Sequence, residues 1–212
     1  MVRAVLDTWA QRDELRSELA RRVPDLKRLA REAARLALMP IVDGPAECGR
    51  AHVLGVPVDC VSMDEAVGRA VEMATSGLGG HVVTLNPEMT LSAGSDAGLA
   101  SVIAGADLVV PDGIGVVRAL SMLGYRPRGR VPGIELAANL MGKAAEREMS
   151  VYLVGARPGV AEQAADAMLS DFPSLKVSGT HHGYFTDTEE PAVLESISQS
   201  GAAFVFVGMG AG

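Results

Sequence analysis

From about residue 63 the chain repeats one pattern, a short and continuous run of β-prone apolar residues set against Ala-rich windows of helical spacing. The runs are His81–Leu85 (HVVTL), Asp107–Val110 (DLVV), Ser150–Gly155 (SVYLVG), Leu175–Gly179 (LKVSG) and Ala203–Gly208 (AFVFVG). The helical windows are Met63–Thr75, Ile134–Glu148, Pro158–Asp171 and Glu189–Ser198. Strands that are apolar at consecutive positions need cover on both faces, and alternating helices provide it around a parallel sheet. The pattern therefore predicts an α/β fold, a Rossmann-like parallel-sheet sandwich with helices on both faces. At 212 residues and 48% hydrophobic content, the chain can bury the core of one such domain.

The N-terminal part follows a different rule. From Ala4 to Leu38 the residues favour helix, with Leu26, Leu29, Ala30, Ala33, Leu36 and Ala37 on one face at 3- and 4-residue spacing. Pro24 is placed to start a second helix there. Lys27, Arg28, Arg31 and Arg35 lie opposite the apolar stripe. They would suit an anionic lipid surface; alternatively the face is solvated and the helix docks on the body or on a second copy, making a homo-oligomer. Met39–Gly49 carries two prolines and two glycines and reads as a linker. The expected division is an N-terminal helical extension with linker over residues 1–50 and one domain over 51–212.

Charge narrows the function. The net charge is −7, and positions 1–43 hold nine basic and seven acidic residues, so the rest of the chain is strongly acidic. Clustered Lys and Arg for phosphate neutralisation are lacking there, which argues against nucleic acid as a partner. Cys48 and Cys60 are the two cysteines and form no CxxC, so a reducing, cytoplasmic setting is expected. No apolar run approaches the ~18 residues needed to span a bilayer.

In open α/β sheets, ligands bind beyond the carboxyl ends of the strands. That rule selects Thr84, Asn86 and Glu88 around NPEM, and Asp112, Gly113 and Gly115 in PDGIG. A carboxylate after a buried strand is well placed to meet a ligand and, given partial burial, to act as a general base. The alternative for Asp112 is an N-cap of the helix starting near Ile114. Two glycine turns, Gly155–Gly159 with Pro158 near a first helical turn and Gly208–Gly210–Gly212, could present backbone N–H groups to an anion. Glycine is also what any tight strand-to-helix turn needs. GxGxxG is completed in neither turn, so a nicotinamide cofactor is not expected.

Other features read as structural. His181 and His182 are adjacent in an extended segment, so their side chains are expected to diverge rather than share a metal. Asp187 and Glu190 are spaced as an N-cap and its capping-box partner. Asp-x-Asp is absent, so no metal site is expected. Met122, Met141 and Met168 are expected as core filler.

Five blocks, VVTLNPEM, ADLVVPDGIGVVRA, RVPGIEL, VYLVGARPGVAEQAA and GTHHGYF, occur in an order and spacing that resembles the WecG/TagA/CpsF glycosyltransferase family. The resemblance covers roughly Val53 to Gly212. It implies transfer of an N-acetylmannosamine-type sugar from a UDP donor to a polyprenyl-diphosphate-linked acceptor during cell-surface polysaccharide assembly, such as teichoic acid. No cofactor is implied, and the setting would be cytoplasmic, peripheral on the inner face of the membrane. By resemblance Asp112 is the general base, Thr84 and Asn86 are active-site polar residues, and Arg130 belongs to the pocket. Gly113, Gly155, Gly159, Gly208 and Gly210 line the substrate or nucleotide. Members of the family continue past the turn matching Gly208–Gly212, so the chain is expected to lack a closing segment and to turn over poorly. The alternative expectation is a UDP-sugar-binding or scaffold protein without turnover.

Overall fold

The computed structural model describes residues 49–77 and 79–209. The N-terminal stripe, its basic face, Cys48, Gly210 and Gly212 lie outside the described residues. The chain begins with a hairpin, β1 (Arg50–Val53) and β2 (Val56–Asp59), paired antiparallel. Its two-residue turn holds Leu54 at φ 52° and Gly55 at φ 85°, the left-handed pair that matches strand twist in a tight hairpin. The sequence reading gave no strands here, because Pro57 breaks the apolar run and Leu-Gly is a weak turn signal beside Asn-Gly.

The remaining strands are parallel. β3 (Val82–Leu85) pairs with β4 (Leu108–Pro111), with Thr84 opposite Val110 and Leu85 opposite Pro111. β5 (Ser150–Gly155) lies between β6 (Lys176–His181) and β7 (Phe204–Gly208). The helices are α1 (Met63–Ser76), α2 (Pro87–Ser92), α3 (Ala97–Ala104), α4 (Ile114–Met122), α5 (Gly133–Glu146), α6 (Val160–Asp171) and α7 (Glu190–Gln199). Strand-helix alternation thus holds, the parallel strands form a two-stranded and a three-stranded sheet, and β4 is covered on both faces. Leu108 and Val110 of β4 pack with Val67, Val71 and Leu140 of α1 and α5. Val109, pointing the other way, packs with Ile103 of α3, Val116 and Leu120 of α4 and Val58 of the hairpin.

The hairpin is fixed to β4 by one buried carboxylate. Asp59, 4% exposed, accepts two hydrogen bonds from the Arg50 guanidinium, at 2.9 and 2.8 Å, and one from the Val109 N–H at 2.7 Å. Arg50 also donates to the carbonyls of Ala106 and Asp107. The hydrogen bonds from Arg50 to Asp59 raise the pKa of the guanidinium further above its already high value. Such a group stays charged, and breaking a buried pair by removing one partner is costly.

Three sequence expectations are corrected. Asp187 does not cap α7: its N-cap is Glu189, with no side-chain cap bond, and the side-chain contact is one residue earlier, where Thr186 donates both its N–H and its hydroxyl to the Glu189 carboxylate at 2.7 and 2.9 Å. The Thr186 N–H, with its hydroxyl next, holds the Glu189 carboxyl below its ordinary pKa. Met122 is 45% exposed rather than core, whereas Met141 is buried and Met168 packs beside it. His181 and His182 do not diverge. His181 ends β6, the chain turns there, and the rings lie 4.6 Å apart.

Candidate functional site

Parallel pairing of β3 and β4 carries three of the sequence-selected residues to one rim. Thr84 is half-buried, one residue inside the end of β3, with its side chain against Gly133 at the start of α5, where a Cβ would lie 3.2 Å from the Thr84 hydroxyl oxygen. Asn86 follows the strand as the N-cap of α2, its side-chain oxygen accepting from the Met89 N–H at 2.8 Å. That cap directs the oxygen into the helix, and the Asn86 Nδ2 has no hydrogen-bond partner among the described residues.

Asp112 stands directly after β4, its backbone N–H bonded to the Leu85 carbonyl at 3.0 Å. Its side chain is not the cap of α4. Gly113 occupies the N-cap position, and the helix has no side-chain cap bond. Among the described residues the Asp112 carboxylate makes no hydrogen bond or ion pair, although the residue is half-buried. Gly113 is required for packing: a Cβ there would meet Pro87 Cδ at 2.5 Å. The turn after β4 therefore sits directly on the start of α2, holding Asn86 and Asp112 on adjacent elements.

The loop before α5 closes the same rim. Val131 is fully buried and donates its N–H to the Pro111 carbonyl at 2.9 Å. Arg130, just before it, lies 3.6 Å from Glu135, both exposed, an ion pair of little strength in water. Arg128 pairs with Glu65 near the start of α1.

The glycine turns occupy the other half. Gly155 ends β5 at φ 141°, and a Cβ on it would lie 2.3 Å from the Gly208 carbonyl oxygen, so no larger residue fits. Ala156 follows at φ 54°, a strained backbone for a residue with a Cβ. It is held there by two bonds, its N–H to the Gly208 carbonyl at 3.0 Å and its carbonyl from the Gly183 N–H at 2.8 Å. Gly159 is the left-handed N-cap of α6, which starts at Val160, so Pro158 precedes the first turn rather than occupying it. No sequence signal marked Ala156, because its conformation is set by strands far away in the chain.

A cavity of about 620 Å³ joins the halves, lined by Thr84, Gly133 and Ile134 on one side and Gly155, Ala156, Val160 and Gly208 on the other. Its deeper wall is apolar, formed by Leu140, Leu153, Phe204 and Phe206. Asn86, Asp112 and Arg130 are not part of its lining; they stand at the rim beside it. A larger hollow of about 810 Å³ lies at the opposite, amino ends of β3 and β4, among Arg69, Glu72, His81 and Asp107. It is shallow and shares Met73, Gly79, Gly80 and His81 with the first cavity, which runs along β3 and β7 as far as their amino ends; the polar residues of the rim stand at the carboxyl ends instead. Among the described residues no three His, Cys, Asp or Glu side chains are grouped to hold a metal ion, and no helix is long and apolar enough to cross a membrane.

Residues 51–212 match the model of the glycosyl transferase WecG/TagA/CpsF family, and the chain belongs to that family. Among curated relatives, it is 33% identical over 132 residues to the N-acetylglucosaminyldiphosphoundecaprenol N-acetyl-beta-D-mannosaminyltransferase of Bacillus spizizenii, covering 62% of this chain and 51% of the relative. The protein of the same name from Staphylococcus aureus is 31% identical over 173 residues, 80% of this chain and 66% of the relative. The matched regions thus span half to two thirds of the relatives' length.

Proposed function

We propose that residues 51–212 form the catalytic unit of an inverting glycosyltransferase. It moves an N-acetylmannosamine-type sugar from a UDP donor to a polyprenyl-diphosphate-linked acceptor in cell-wall polymer synthesis. The observation that carries this reading is Asp112: a half-buried carboxylate at the carboxyl end of a central strand, without a capping role and without a partner among the described residues. Membership of the family supports the reaction class, and the names of the relatives support the transferred sugar and the acceptor type.

Inversion is one in-line displacement. The acceptor hydroxyl oxygen bonds to the anomeric carbon, the bond from that carbon to the UDP oxygen breaks with its electron pair leaving on the diphosphate, and the hydroxyl proton passes to Asp112. Thr84 and the Asn86 amide N–H groups, at the same rim, orient the sugar. The turns that carry Gly113, Gly155, Gly159, Gly208 and Gly210 line the nucleotide, and Arg130 joins them from the loop before α5.

Ahead of the domain, Lys27, Arg28, Arg31 and Arg35 draw the protein to the anionic membrane that holds its acceptor. Each basic residue near such a surface contributes about 1 kcal/mol.

The test is Asp112→Asn, assayed with UDP-N-acetylmannosamine and a polyprenyl-diphosphate-linked N-acetylglucosamine acceptor. Transfer falls by ~100-fold or more, while UDP affinity and melting temperature stay at the wild-type values. Near-normal turnover in the variant refutes Asp112 as the base. UDP binding by the wild type without any transfer supports a donor-binding protein instead.

A further inference from the structure

We propose that Arg157 is the side chain that receives the departing diphosphate, an inference that rests on the donor reading above. Three observations carry it. The first is charge. Residues 49–209 contain ten basic side chains, and six have a carboxylate within 4.0 Å: Arg50 and Arg69 at Asp59, Arg128 at Glu65, Arg130 at Glu135, Lys143 at Glu146 and Lys176 at Glu148. Arg118, Arg126, Arg147 and Arg157 have none among the described residues. Arg118 lies on α4, Arg126 in the loop before α5 and Arg147 at the far end of α5. Arg157 alone of the four stands in a turn from a strand end into a helix.

The second observation is position. Residues on both sides of Arg157, namely Gly155, Ala156 and Val160, line the cavity that also reaches Thr84 and Gly133. Arg157 itself is outside that lining; it stands exposed at the edge of the wall that faces β3, whose rim carries Asp112. An in-line displacement needs that arrangement, with the base on one side of the anomeric carbon and the charge-accepting group on the other. The third is fixation. The residue before Arg157 is locked by Gly208 and Gly183, and the Arg157 carbonyl accepts from the Val160 N–H at 3.1 Å, so the origin of its side chain is set by three chain segments. Only the exposed guanidinium remains free to fold over a ligand, and its planar fork matches phosphate oxygens two at a time.

The bond changes are those of the displacement already written: as the carbon–oxygen bond to UDP breaks, negative charge gathers on the diphosphate, and Arg157 binds that charge without exchanging a proton. The test separates diphosphate from nucleoside by titrating the 212-residue chain with UDP and with UMP by calorimetry. Wild type binds UDP more tightly than UMP. Arg157→Gln loses about tenfold or more in UDP affinity, the scale of a charged hydrogen bond, with UMP affinity changed less than about twofold. Arg157→Lys recovers part of the loss, and Arg118→Gln keeps the wild-type preference. Circular dichroism checks that each variant folds. A UDP preference unchanged in Arg157→Gln overturns the assignment, as does its loss in Arg130→Gln alone. A wild-type chain that binds neither nucleotide overturns the donor reading itself, a result separate from either of these.

Discussion

β4 and β7 are both continuous apolar runs, Leu-Val-Val-Pro and Phe-Val-Phe-Val-Gly, yet β4 is buried at every position while β7 exposes Val205, Val207 and Gly208. The difference is in the neighbours. β4 has β3 along one side, the hairpin beside it, α1 and α5 over one face and α3 and α4 over the other. β7 pairs only with β5 among the described residues and turns Phe204 and Phe206 inward against the core. A continuous apolar run therefore says that a segment is a strand needing cover, not that it is covered. The proposed base stands on the covered half; the glycine turns and Arg157 stand on the open one.

That contrast can be broken most sharply at Asp59. Asp59→Ala leaves Arg50 and the Val109 N–H without their shared acceptor and costs about 3–5 kcal/mol in urea unfolding. Glu135→Ala, removing an exposed partner of Arg130, costs less than about 1 kcal/mol. Equal costs would mean that the hairpin does not fix β4.

Paired truncations sharpen it further. Val109→Ala, at 0% exposure, costs about 2 kcal/mol by lost burial and cavity formation. Val207→Ala, at 65% exposure, stays within about 0.5 kcal/mol. A loss at Val207 as large as at Val109 would show that β7 is covered in solution.

Gly155→Ala strains a backbone at φ 141° and pushes into the Gly208 carbonyl. It costs about 1–3 kcal/mol, and amide exchange speeds up in β7 and the Gly183 loop but not in β4. Uniform acceleration would remove the distinction between the halves.

The smallest effect is at Glu65, in the capping box of α1. The Ser62 N–H, supported by the Ser62 hydroxyl and Arg128, holds this carboxyl below its ordinary pKa. A depressed pKa contributes stability that is present above the ordinary carboxylate range, about 4.3, and is lost as the pH falls through the folded value. Glu65→Gln should flatten that part of the acid limb of a melting-temperature profile; an unchanged limb would place its origin elsewhere.

Much of the site was legible because one rule, strand ends in a parallel sheet, converts chain position into space. Thr84, Asn86 and Asp112 follow from it once the runs at residues 81–85 and 107–110 are read as strands. What escaped was short or distant. α2 and α3 are six and eight residues long, too brief for periodicity, and their signals were the caps Asn86 and Asp96, which accept from the Met89 and Leu99 N–H groups. Asn86 was selected as an active-site residue with no sign that its side-chain oxygen also starts a helix. For Asp112 the residues leave base and cap open; the structure gives the cap position to Gly113, and the base stays a proposal.

The sequence by itself determined the alternation of strands and helices, the parallel sense of the strands that follow the hairpin, and the end of the sheet at which polar residues gather. Those depend on local spacing and on which side chains must leave water, and both are properties of neighbours in the chain. Only the tertiary structure decided that β4 is enclosed and β7 open, that Ala156 is held in a left-handed conformation by Gly208 and Gly183, and that Arg130 has an acidic partner while Arg157 has none among the described residues. Each of those is a contact between residues far apart in sequence or a choice among many acidic partners, and the energy that selects it exists only once the segments have been brought together.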